Sequence, residues 1–182
     1  MSEEGDPRVP PEEWAVRREL GEALMEFLQR LMPAVMPGEP PDDVMRRHVT
    51  ENFRQAVEKA AAQGIETYIC WEALATWTEE GKERIGYFSR ALACIEEGRD
   101  VELKKPGPQL VWSEVHGRAE CLFEIGRVHA AEGDPEVARG FLLRARPLAE
   151  AARLARQPAG ITHDDGLEGK IAELLGELPS AP

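Results

Sequence analysis

The sequence predicts an all-α chain built from antiparallel helix pairs, and three observations carry that prediction. Apolar residues recur at three- and four-residue steps instead of alternating. The β-branched and aromatic runs that would mark strands are nearly absent. Gly and Pro interrupt the apolar stretches at intervals that suit helices. With 182 residues, 42% of them hydrophobic, the chain has the size and apolar content of one self-supporting domain. A single domain over residues 1–182 is therefore expected, with residues 1–10 and 179–182 as disordered ends.

The first helix is expected to begin at Pro11-Glu12-Glu13, since proline suits the first helical position and acids suit the positive end of the dipole. Its apolar stripe is Trp14, Leu20, Leu24, Phe27, Leu28 and Leu31, and Pro33 and Pro37 end it. Pro41-Asp42-Asp43 announces the second helix, which carries Val44, Met45, Val49, Phe53, Ala56, Val57 and Ala60 up to Gly64. A third is expected from about Ile65 to Glu80, with Gly81 placed as a left-handed cap.

The fourth helix, about Lys82 to Glu97, presents Ile85, Phe88, Leu92 and Ile95 and ends at Gly98. Residues 99–108 have loop composition and read as a lengthened connection between pairs. A fifth helix follows from about Gln109 to Glu132, stopped by Gly133. Asp134-Pro135-Glu136 then supplies a cap, a first-turn proline and a first-turn acid in order. Helical spacing continues through Pro147, which either kinks or breaks this sixth helix, because an interior proline removes a hydrogen bond and crowds the preceding turn. A last helix, capped by Asp164 or Asp165, carries Leu167, Ile171, Leu174, Leu175 and Leu178 on one stripe and is expected to dock as a cap.

Residues Ala119 to Ala145 carry Leu122, Ile125-Gly126, His129, Gly133, Ala138, Leu142 and Ala145 at the spacing of a tetratricopeptide repeat, which this stretch resembles. In that pattern Gly126 and Ala138 let paired helices approach closely, and Leu142 and Ala145 fill the seam to the next pair. A weaker copy spans Ile65 to Ile95, with Ala73-Leu74, Trp77, Gly81, Gly86 and Ala93. It departs from the pattern where Leu74 replaces a glycine and Arg90 replaces a large apolar residue. The resemblance implies a tetratricopeptide-like α-solenoid of about three pairs plus a C-terminal capping helix, the first pair being inferred from periodicity alone.

A net charge of −12 and a pI near 4.9 speak against nucleic acid as a partner, because that affinity rests on Lys and Arg displacing counterions. Most of the acids lie in the first hundred residues, whereas Arg139, Arg144, Arg146, Arg153 and Arg156 make one later helix locally basic. Cys70, Cys94 and Cys121 are an odd number without close pairing, which fits neither a disulfide framework nor a zinc site, and they read as reduced, buried fillers. The acidic start lacks a secretion signal, and no apolar run reaches the ~18 residues of a membrane span. A cytosolic location without membrane contact is the expectation.

If the resemblance holds, the inner face of the stack brings Tyr68 and Trp71 beside Glu120, Phe123 and Arg127. Two aromatics and an arginine suit a protein-binding groove, since such residues dominate interface energetics. Equally, Trp71 or Phe123 packs as core. His116, Glu120 and Glu124 share a helix face at a spacing that can chelate a metal, and the blander reading is a solvated polar face. His129 reads as a core histidine, and His48 and His163 belong to no recognisable triad. Phosphate loops, dinucleotide fingerprints and nucleophile elbows are missing, so neither an enzyme nor a cofactor is expected. The sequence thus points to an adaptor or chaperone-like protein binding another protein on its concave face. The alternative is an acidic, immunity-type inhibitor covering a basic toxin enzyme, its encounter hastened by charge.

Overall fold

The computed structural model describes residues 10–31, 43–103 and 107–179. They form α1 (Pro11–Leu31), α2 (Asp43–Ala61), α3 (Tyr68–Trp77), α4 (Gly81–Glu96), α5 (Pro108–Ala131), α6 (Pro135–Arg156) and α7 (Leu167–Glu177). The all-α class is as the periodicity predicts. The expected tails at 1–10 and 179–182, apart from Pro10 and Pro179, the helix-ending Pro33 and Pro37, the Pro41-Asp42 start and loop residues 104–106 lie outside the described residues.

The chain divides after Glu66 into two compact units. In the first, α1 and α2 run antiparallel. Phe27 stacks on Phe53 with ring centres 4.4 Å apart, and Lys59 meets Glu19 at 2.7 Å. Leu20, Leu31, Val49, Val57 and Ala60 complete the buried seam. Trp14, Val44 and Met45, expected on the apolar stripes, are exposed.

In the second unit each helix from α3 to α7 packs against the next. Trp71 faces Tyr87 while Arg84 reaches back to Ala75, so α3 and α4 are antiparallel. Ile95 approaches Gly117 and Gly81 approaches Val128, which sets α5 antiparallel to α4. It follows that α3 and α5 run in the same direction.

At its C-terminal end α3 is shorter than the periodicity predicts. Thr78 leaves the helix in extended geometry, and its hydroxyl donates to Leu74 O at 2.7 Å. Arg84 Nε donates to Ala75 O at 3.2 Å and Thr78 O at 2.9 Å. Carbonyls left free by the helix end are satisfied without another turn. At the other end, the buried Asp100 accepts the Tyr68 N–H at 2.6 Å. Gly81 is not a left-handed cap: it opens α4, and positive φ falls instead at Gly64, Gly98, Gly133, Gly160 and Gly166. At 81 a Cβ would lie 2.1 Å from Glu132 Oε1 and 3.3 Å from Val128 Cγ1, so a larger residue there would make the Glu132 side chain turn aside.

The α5–α6 pair has the expected close approach. A Cβ on Gly126 would sit 3.0 Å from Leu142 Cγ and 3.2 Å from Ala138 O, and Ala138, Leu142 and Ala145 are fully buried. Gly86, the small residue of the weaker copy, faces open space. Helix α6 runs unbroken through Pro147. Against it lies α7, with Leu167 and Ile171 buried. Arg153 pairs with Glu168 at 2.9 Å and Arg139 donates to Leu178 O at 3.2 Å. Part of the basic character of α6 is therefore spent on holding α7.

Candidate binding groove

The shared direction of α3 and α5 places residues of each in step along one face. Tyr68 opens the series: its ring packs where a side chain on Gly117 would stand, with Cε2 2.8 Å from a Cβ built there. Next come Glu72 and Glu120, whose carboxyl groups both line the groove and repel each other across it. Beyond them Glu124 holds Arg127 at 2.5 Å. Glu72, Thr76, Glu120, Glu124 and Arg127 line a pocket of about 180 Å³ with Arg84 and Phe88 of α4.

Of the residues expected here from sequence, Tyr68, Glu120 and Arg127 lie along this face. Trp71 and Phe123 do not offer the exposed aromatic surface expected of them, being 1% and 7% accessible. The reason is helical register: Tyr68, Glu72 and Thr76 follow one another at four-residue steps, and Trp71 is turned onto the α3–α4 seam. There it lies 6.1 Å from the Tyr87 ring, with the Arg90 guanidinium 4.8 Å above it. That contact accounts for an arginine where the repeat pattern has a large apolar residue, since a guanidinium covers an indole face as an aliphatic chain would while keeping its charge wet.

Glu72 and Glu124 are groove members that the sequence reading missed. Burial pushes the Glu72 carboxyl up to about 8, with Glu120 and then Glu124 adding repulsion. Glu120 is raised in turn, again chiefly by burial, and His116 pulls against that rise. Two carboxyls brought together away from water share a proton in preference to carrying two charges. The same burial raises the Tyr68 phenol and lifts the Cys70 thiol to about 12. Together with Cys94 and Cys121, Cys70 is free and buried.

His116 extends the network toward α7. Its Nε2 lies 2.9 Å from Asp165 Oδ2 and its Nδ1 3.5 Å from Glu120 Oε2, and its ring stacks on Trp112. Burial would raise the Asp165 carboxyl, but the hydrogen bonds from His116 and the Leu167 amide outweigh it and hold the group low. The metal-chelating alternative weighed for His116, Glu120 and Glu124 does not converge, because Glu124 is turned to Arg127 and His116 to Asp165. A second cleft of about 550 Å³ opens between α5, α6 and α7, lined by Trp112, Ile161 and Leu167 among others. Its Arg153 and Arg156 are paired with Glu168 and Asp164 at 2.9 and 2.6 Å.

No protein-family model matches the chain, no curated protein matches it, and no solved structure matches its fold. The likeness to tetratricopeptide repeats therefore rests on the residues themselves. No helix among the described residues is long and apolar enough to cross a membrane.

Proposed function

We propose that this chain is a protein-interaction module of tetratricopeptide type, an adaptor or chaperone-like protein that holds a partner segment along the α3–α5 face and seats a Lys or Arg side chain on Glu72, Glu120 and Glu124. The observation that carries this reading is the convergence of Glu72, Glu120 and Glu124 on one open pocket, where burial sets the Glu72 and Glu120 carboxyls against each other. A proton is the smallest cation that relieves such a pair. An arginine relieves it better, because its planar fork donates several hydrogen bonds at once to carboxylate oxygens. The same-direction run of α3 and α5 supports the repeat reading, since solenoids present successive equivalent helices on one binding face.

The test is selection of peptides from a random library by the purified chain. Enriched peptides should carry Arg or Lys at a fixed position. The paired substitution Glu72→Gln with Glu120→Gln should weaken them roughly tenfold or more while helix content is kept and the melting temperature is not lowered. Enrichment of acidic or uncharged peptides, or affinity indifferent to the paired substitution, would overturn the proposal.

A further inference from the structure

The turn between α5 and α6 gathers three metal-ligating side chains that the groove does not use. His129 lies in the last turn of α5, Glu132 caps that helix and Asp134 caps α6. Each offers a ligand atom within 4.8 Å of the others. The backbone makes this convergence. Gly133 adopts φ +86°, the Asp134 N–H bonds to His129 O at 2.9 Å, and the Gly133 N–H bonds to Ala130 O at 3.3 Å. This pair of bonds reverses the chain at a helix end, and it returns Asp134 over His129.

The histidine shows a second feature that points to a ligand. Its Nδ1 is buried and has no hydrogen-bond partner. Asp134 Oδ2, at 3.6 Å, is too far for a hydrogen bond. The ring is held in place by stacking on Phe141, 5.7 Å away and 7° from parallel, so it does not simply turn to find water. A buried ring nitrogen left unpaired is unfavourable, and such a group in a folded protein calls for a missing partner.

We propose that His129, Glu132 and Asp134 bind a divalent transition metal of the zinc class, through His129 Nδ1 and one oxygen of each carboxylate. One imidazole with two carboxylates suits zinc, cobalt or nickel better than calcium or magnesium, which favour all-oxygen shells. Three protein ligands leave a fourth position for water or for an incoming donor. Both carboxylates are exposed, so bringing them to bonding distance needs side-chain rotation alone. The bound ion pins the α5–α6 turn and stabilises the chain by mass action.

Titration of the tag-free full chain with zinc chloride should give one ion per chain by calorimetry and a raised melting temperature that a chelator reverses. Cobalt should give the visible absorption of a four-coordinate site. Asp134→Asn keeps a good helix cap and Glu132→Gln keeps the side-chain shape, yet each should weaken zinc roughly a hundredfold, since the ligand must be an ionised carboxylate. His129→Tyr, which retains a ring against Phe141, should abolish binding. His116→Gln should leave it unchanged, which separates this site from the other histidine–carboxylate cluster. Absence of saturable binding up to about 1 mM, binding indifferent to Asp134→Asn and Glu132→Gln, or binding lost with His116→Gln would overturn the proposal.

Discussion

Asp100 anchors the start of α3 through Tyr68, whose N–H it accepts on Oδ2 at 2.6 Å, while its other oxygen accepts the Glu102 and Leu103 amides at 2.8 and 2.9 Å. One buried carboxylate thereby caps a helix and shapes the loop that follows α4. Asp100→Ala leaves these amides without their acceptor and should cost about 2–4 kcal/mol. The measurement is the urea midpoint at unchanged slope. A variant that unfolds at the parent midpoint would show that water replaces the carboxylate at no cost.

The α5–α6 seam gives the second prediction. Gly126→Leu and Ala138→Trp each add atoms where contacts are already 3.0–3.2 Å or where no accessible surface is left. Overpacking should lower stability by about 1–3 kcal/mol, read from thermal melts. Gly86→Ala is the matched control: open space surrounds that position, and removing a mid-helix glycine should stabilise by about 0.5–1 kcal/mol.

Trp71 should behave as core. Its ring is buried, stacked near Tyr87 and covered by Arg90, so Trp71→Ala should cost about 3–5 kcal/mol of stability. Arg90→Ala, which removes only the exposed cover, should cost less than about 1 kcal/mol. Equal losses from the two would place the ring's stability in the cation contact and not in its burial.

The helices were legible because each carries its own local signal. Asp134-Pro135 marks the start of α6, and the Leu142 and Ala145 spacing marks its buried face. What was not legible depends on residues distant in sequence. Gly81 reads as a left-handed cap until Glu132 is found beside it, and Asp100 reads as a loop acid until the Tyr68 amide is found above it. For the groove, charge and register misled: Trp71 looks like a contact residue by type, whereas Glu72, one position on, faces the groove by angle. Four-residue steps from Tyr68 would have found it.

Glu72 also makes stability depend on pH. Its carboxyl titrates at about 8 in the folded chain against an ordinary 4.5, so between those values the folded state holds a proton that the unfolded state has lost. Stability therefore falls as pH rises from about 4.5 to about 8 and levels above. Glu120 and Glu124 deepen the effect, and His116 moderates it at Glu120. Glu72→Gln should melt higher than the parent at pH 8, with the gap closing toward pH 5. A gap independent of pH would place the proton elsewhere.

The same proton would link acidity to the proposed capture of a basic side chain. A guanidinium entering between Glu72 and Glu120 favours both ionised forms, so binding must expel the proton that the free groove holds below about pH 8. Affinity for a basic peptide should accordingly rise with pH up to about 8 and level off, by as much as roughly tenfold per unit where one whole proton is released. Calorimetry in two buffers of different ionisation enthalpy counts that proton directly. Glu72→Gln should abolish the release while keeping the fold. Affinity that falls with pH across this window, or proton release that persists in Glu72→Gln, would show that the cation is taken by a different set of acids.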